Sequence, residues 1–352
     1  MTDLPVFSVI FPTYNRAVVV EETVRRLLAQ DYPADHYEII AVDNSTDETP
    51  TMIEKLVGES REAGGPEVRL LSLAERLPAV KRNRGLDIAA GDLAFFINDD
   101  VWFEPDALSQ HAQTHMAHDG PVAVLGSCVQ SSAMPRTPFV EFYEPFAYKE
   151  MEQYVDRSVP YRYFWSMNLS LPKAVMLDRN LVFHEDWAHI GHEDVELGWR
   201  WTRAGLPAIY NPRARGEHFH PHTVASACLL QESVGRGLRD LEALVSDPGL
   251  LQRYGVLSRH SSPKQALRGL VRELLFNRFT APSCARWLDG CDRNTVITRW
   301  MYWKVMLEST NRGYRSEPRR NPMPLPTGPA TGAVAAATSE CLFDVLAAAV
   351  EE

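Results

Sequence analysis

The sequence predicts an α/β fold, a mostly parallel sheet with helices on both faces, followed by a helical C-terminal extension. Three observations predict it. Short apolar, β-rich runs alternate with segments of helical period through the first half of the chain. Two of those runs end in acidic clusters, around Asp43 and Asp99, and ligands of such sheets bind outside the carboxyl ends of the strands. Hydrophobic residues make up 45% of the 352, enough for the core of one large domain or two ordinary ones.

Val6–Phe11 is an apolar run stopped by Pro12. Ala17–Gln30 carries Val20, Val24, Leu27 and Leu28 at helical spacing. Glu38–Val42 reads as a buried strand running into Asp43-Asn44-Ser45-Thr46-Asp47. There Ser45 or Thr46 is expected to cap a helix reaching about Ala63. Val68–Leu73 is a third strand, and Pro78–Ala90 a helix closed by Gly91. Leu93–Ile97 is a fourth strand, ending in Asn98-Asp99-Asp100. Pro105–His118 is helical and Val122–Val129 a strand. Gln130–Arg162, aromatic and interrupted by four prolines, reads as an excursion or lid. Tyr163–Leu171 is expected to return to the sheet, Glu193–Ala204 to form a helix ended by Gly205, and Pro207–Asn211 to begin another strand. Residues 1–222 thus form an α/β unit. Residues 223–315 are helical, with Leu267, Leu270, Val271, Leu274 and Leu275 on one stripe. Residues 316–352 are a Pro-, Gly- and Ala-rich tail with a short terminal helix over Cys341–Val350.

Acidic residues outnumber basic ones, 46 to 36, for a net charge of -10, which excludes a general nucleic-acid binder. Local basic clusters still suffice for one diphosphate. Five scattered cysteines without a C-x-x-C pair fit reduced thiols in a cytoplasmic protein. MTDLPVFSVIFPTYNR lacks the pattern of a signal peptide, and no window offers the ~20 apolar residues of a membrane span. Peripheral membrane contact stays open.

Four segments carry candidate chemistry: Phe11–Arg16, Val42–Asp47, Phe96–Asp100 and Gly191–Leu197. Each falls at the end of an expected strand or the start of a helix. Tyr14 offers a stacking face and Arg16 a charge-assisted contact. Asp43 can accept the imide N–H of a uracil or thymine. Asp100, with Asp99 beside it, is a hard oxygen donor for Mg²⁺ or Mn²⁺. Glu193 and Asp194 open a helix, where the dipole favours an ionised carboxylate suited to a general base. The bland readings stand beside these: a strand-to-helix turn, a capping cluster, a polar β-turn and dipole complementation.

In order and spacing the segments resemble the family 2 glycosyltransferases of the GT-A (Rossmann-like) fold, from roughly Val6 to His222. The resemblance implies a nucleotide-diphosphate sugar donor of UDP or dTDP type and an inverting single displacement onto an acceptor hydroxyl. The acceptor is left open between a glycan, a lipid-linked sugar and a small natural product. It places Pro12, Thr13, Tyr14, Arg16, Asp43, Arg82, Asn83, Asn98 and Asp99 around the donor, with Asn98 departing from the family's Asp-x-Asp. It makes Asp100 the ligand of Mn²⁺ or Mg²⁺, with His218 and then His220 and His222 behind it. Asp194 becomes the catalytic base with Glu193 as fallback, and Trp165 and Asn168 contact the acceptor. Lys81 and Arg84 read as a solvated basic helix face. Arg213 or Arg215 is expected to assist the diphosphate. Two rivals keep the fold. One is a nucleotidyltransferase, which needs a Gly-rich loop after strand one, and Phe11–Arg16 has no Gly. The other is a non-catalytic sugar- or nucleotide-binding module.

Overall fold

The computed structural model describes residues 4–317 except 144–147, 156, 188, 246, 248, 257–262, 264–266, 268–269 and 272–273. The expected tail from 318 onward, including its terminal helix, lies outside the described residues. The strands are β1 (Phe7–Thr13), β2 (Tyr37–Asp43), β3 (Glu67–Ser72), β4 (Leu93–Ile97), β5 (Val101–Phe103), β6 (Ala123–Gln130), β7 (Asn168–Pro172) and β8 (Ala208–His218). They form one sheet in the order β3-β2-β1-β4-β7-β6-β8-β5. The first four are mutually parallel. Strand β7 runs antiparallel between β4 and β6, and β5 runs antiparallel on β8.

Three helices, α1 (Ala17–Leu28), α2 (Thr49–Ala63) and α3 (Pro78–Ile88), follow the first three strands, and α4 (Ala107–Met116) precedes β6. Short helices α5 (Pro138–Phe142) and α6 (Tyr148–Met151) occupy the proline-rich excursion. Helix α7 (Lys173–Asp178) follows β7, and α8 (Glu193–Arg203) leads to β8. The C-terminal part holds α9 (Val224–Leu244), α10 (Leu250–Arg253), α11 (Thr280–Asp289) and α12 (Val296–Ser316).

Several expectations shift. Pro12 does not end β1, because pairing to β4 stops at Ile10. Its missing N–H therefore breaks no ladder bond on that side. Neither Ser45 nor Thr46 caps α2, whose first N–H groups include Thr49 N bonded to Asp47 Oδ1 at 2.9 Å. Tyr161–Tyr163 is a 3₁₀ turn, so the returning strand starts only at Asn168. Strand β8 passes Pro212 through a bulge opposite Gly126/Ser127 and reaches His218.

The sheet core is continuous across Phe7, Phe11, Phe95, Phe96, Phe183 and Trp201. The C-terminal helices do not form a separate core. Tyr302 of α12 packs with Phe139 and Phe142 of the excursion, and Leu238 and Leu241 of α9 pack with Trp187 and Trp199. Helices α9 and α12 meet backbone to backbone. A Cβ on Gly235 would lie 2.0 Å from the Thr310 carbonyl oxygen, and one on Gly313 1.9 Å from that of Glu232. Only glycine permits this approach. It seats α9 against the Gly191 turn, where Gly237 leaves room for the Gly191 carbonyl. Among the described residues, no helix is long and apolar enough to cross a membrane.

Candidate functional site

The carboxyl ends of β1, β4 and β8, the amino end of α8 and the inner faces of α9, α10 and α12 enclose one cavity of about 760 Å³. Pro12, Thr13, Tyr14, Arg16, Arg82, Asn98, Asp99, Asp100, Trp165, Glu193, Asp194, His218, His220 and His222 all line it.

Parallel pairing of β1 with β4 brings Thr13 beside the acidic pair, and its hydroxyl donates to Asp99 Oδ2 at 2.7 Å. Arg16, in the turn before α1, places Nη1 3.1 Å from Asp99 Oδ1 and 2.9 Å from Asp100 Oδ2. Antiparallel pairing of β5 with β8 sets Val101 opposite His218, so the histidines arrive at Asp100. His220 Nδ1 lies 2.7 Å from Asp100 Oδ2, and His218 Nε2 lies 3.4 Å from Oδ1. One ligand atom each from Asp100, His218 and His220 fall within 4.8 Å of one another. Burial alone would raise the Asp100 pKa, but His218, His220 and Arg16 hold it well below the usual range. Burial, and then the Asp100 charge, push Asp99 up to about 6. Asp100 Oδ1 is buried, with His218 Nε2 facing it at 3.4 Å. One carboxylate and two imidazoles form a donor set that suits a divalent cation. His222 stacks on His220 at 4.2 Å, and burial first, then the other two histidines, lowers its pKa to about 3.

At the amino end of α8, Gly191 and His192 both take left-handed backbone angles and turn the chain into the helix. Arg82 donates to Glu193 Oε1 at 3.0 Å and to Asn98 Oδ1 at 3.1 Å. The other oxygen of Glu193 accepts the Gly191 N–H at 3.0 Å, so this carboxylate is occupied structurally. Asp194 accepts from Ser166 N at 3.0 Å, Ser166 Oγ at 3.3 Å and Val195 N at 2.8 Å. Sequence reasoning expected the helix dipole to keep Asp194 readily ionised. Burial, and then the Glu193 charge, outweigh the dipole and raise its pKa to about 6.

Five sequence expectations are corrected. Asn168 is 1% exposed and does not face the cavity. Its amide donates to the Ser127 and Ala214 carbonyls at 3.0 and 2.9 Å, and Oδ1 meets His111 Nε2 at 2.9 Å. These bonds tie β7 to β6 and β8, so Asn168 is no acceptor contact. Asn168→Ala is expected to cost roughly 3 kcal/mol of stability, read by urea unfolding, because buried partners lose their bonds. Asn83 likewise does not line the cavity. It exchanges both its polar groups with Phe183 backbone at 2.8 and 3.0 Å. Lys81 is not solvated but buried, its ammonium held by the Thr13 carbonyl at 2.7 Å and by Asn44 Oδ1. Arg213 and Arg215 are exposed and do not line the cavity. Asp43 sits at the end of β2 as expected, but its Oδ1 takes both the N–H and hydroxyl of Ser45, at 3.1 and 2.5 Å. Asn44 is the neighbour that lines the cavity.

Sequence reasoning missed Ser166, which orients Asp194, and His192, buried in the cavity wall with its pKa lowered to about 4 by burial. It also missed Tyr161 and Tyr254 on the far wall. The only local signal was the Tyr163–Ser170 segment itself. Tyr254 lies outside every motif and arrives by tertiary packing alone.

Residues 8–167 match the model of Glycosyl transferase family 2. A validoxylamine A glucosyltransferase of Streptomyces hygroscopicus subsp. jinggangensis is 29% identical over 261 residues, 64% of this chain and 59% of the relative. A GalNAc(5)-diNAcBac-PP-undecaprenol beta-1,3-glucosyltransferase of Campylobacter jejuni is 32% identical over 126 residues, 36% of this chain and 39% of the relative. The chain therefore spans less than two thirds of the length of these curated relatives. Among solved structures, the mannosyltransferase PcManGT of Pyrobaculum calidifontis, in complex with GDP-Man and Mn²⁺, superposes with a TM-score of 0.56. It is 18% identical, over 90% of this chain and 89% of that one. S. aureus TarS 1-349 in complex with UDP-GlcNAc gives a TM-score of 0.51 at 18% identity, over 88% and 91%. Both share the fold. Over residues 8–167, where the strand-end acids lie, this chain is similar to glycosyl transferase family 2.

Proposed function

We propose that the protein transfers a sugar from a nucleotide-diphosphate sugar to an acceptor hydroxyl by a single, inverting displacement with a divalent cation. One observation carries this reading: Asp100, between β4 and β5, and Asp194, at the start of α8, line the same cavity. The mannosyltransferase neighbour bound to GDP-Man and Mn²⁺ supports the donor class and the ion.

Asp100, His218 and His220 would hold the cation, and the two imidazoles favour Mn²⁺ over Mg²⁺, which prefers an all-oxygen shell. The bound ion supplies positive charge against the departing diphosphate. Arg16 adds a second cation on the same side. Tyr14 offers its ring to the base of the donor nucleotide. Arg82 fixes Asn98, whose amide suits a ribose hydroxyl. On the acceptor side Trp165 and Tyr161 offer faces for a sugar ring. Asp194 takes the proton of the attacking hydroxyl, and Ser166 holds its carboxylate in place. One displacement inverts the anomeric centre and needs no covalent glycosyl-enzyme.

The base must be ionised, and its pKa is raised. Transfer is therefore expected to fall as the pH drops through about 6 and to flatten above it, read as initial rates from pH 4.5 to 8.5. A profile flat through this range would remove Asp194 from the role. The reaction class is tested by screening nucleotide sugars by thermal shift and then assaying donor hydrolysis with Mn²⁺. A glycosyltransferase releases a nucleoside diphosphate. Pyrophosphate released from a nucleoside triphosphate would instead mark a nucleotidyltransferase, and binding without turnover a binding module.

A further inference from the structure

The C-terminal region carries an apolar surface that the transfer site does not use. Leu267, Leu270, Val271, Leu274 and Leu275 follow helical spacing, yet each is 48–70% exposed. A stripe of this period normally faces a core. The surface continues through Phe279 (73% exposed), Trp287 (56%), Val296 (69%) and Ile297 (67%). The Phe276 ring packs 5.6 Å from that of Trp300, which joins the segment before α11 to the start of α12. Such a large exposed apolar area marks a docking site.

The chemistry of its rim says what docks there. Arg278 lies 4.6 Å over the Phe279 ring, and the Lys304 ammonium 3.7 Å over that of Trp303. Among the described residues of 258–304, Arg278, Arg286, Arg293, Arg299 and Lys304 stand against Asp289 and Asp292, in a chain of net charge -10. Aromatic and aliphatic side chains interleaved with Arg and Lys fit the boundary of an anionic bilayer. There the apolar groups enter the acyl edge and the cations meet headgroups. A second copy fits worse, because a two-fold contact sets the same basic rim against itself.

We propose that this face, from Leu267 through α11 to the start of α12, docks the protein on an anionic lipid surface, in the plane of the membrane. The inference rests on exposure and charge and is independent of the transfer reaction.

Cosedimentation of the full chain with vesicles of phosphatidylcholine, alone or mixed with phosphatidylglycerol, tests it. The protein is expected to pellet with the mixed vesicles, to stay in solution with the neutral ones, and to be released by salt. Phe279→Ser with Trp287→Ser, and separately Arg278→Glu with Arg286→Glu, are each expected to lower the bound fraction about tenfold. All four residues are exposed, so melting temperature and donor hydrolysis should not change. The charge-reversal pair leaves the apolar groups intact and stands as a second test if the serine pair folds poorly. Equal binding to both vesicle types, binding to neither, or a dimer in light scattering that Phe279→Ser dissolves would each overturn the proposal.

Discussion

Asp194→Asn is expected to lower the transfer rate by about 10²–10⁴-fold while donor affinity changes less than about threefold. The amide keeps the size of the side chain but cannot take a proton. Donor contacts are spared because Asp194 is held by Ser166 and Val195 and makes no bond to Asp100 or Arg16 among those of the described residues. Calorimetric titration of the donor with Mn²⁺ and single-turnover transfer, run on the same preparation, separate the two effects. Glu193→Gln gives the contrast. Its carboxylate is committed to Arg82 and the Gly191 N–H, so its loss should damage the wall and weaken donor and acceptor binding together. Should Asp194→Asn transfer at a near-parental rate, the proton goes elsewhere and the mechanism must be rebuilt.

Asp100→Asn is expected to weaken Mn²⁺ binding by on the order of 100-fold or more, since even a partner one shell removed from a metal commonly costs 10–100-fold. Asp100 is the buried carboxylate on which both His218 and His220 converge, and it is the anion opposing Arg16. Donor binding with Mn²⁺ should then fall to the level seen with chelator, while donor binding without metal is largely kept. An unchanged Mn²⁺ titration would move the ion site away from this cluster. His222→Ala is the useful companion, because His222 stacks behind His220 without joining the three converging ligand atoms. It should cost far less affinity than His220→Ala.

The parallel half of the sheet was legible because buried parallel strands leave near-continuous apolar runs, as in Glu38–Val42 and Leu93–Ile97. The four acidic or aromatic segments were legible because strand ends are where such sheets bind ligands. Harder to read were β5, only three residues long, and the start of β7, expected at Tyr163 but found at Asn168, because pairing with a partner strand decides both.

Sequence by itself fixed the alternation of strands and helices, the carboxylates at Asp99, Asp100, Glu193 and Asp194, and the late histidines. Periodicity and residue chemistry are local properties. Only the tertiary structure decided which polar residues remain available. Asn168 and Asn83 look like ligand contacts in a motif, yet buried backbone groups claim their amides. Lys81 looks solvated, yet it is buried in the cavity wall. A buried hydrogen-bonding group must be satisfied by something, and what satisfies it comes from elements distant in the chain.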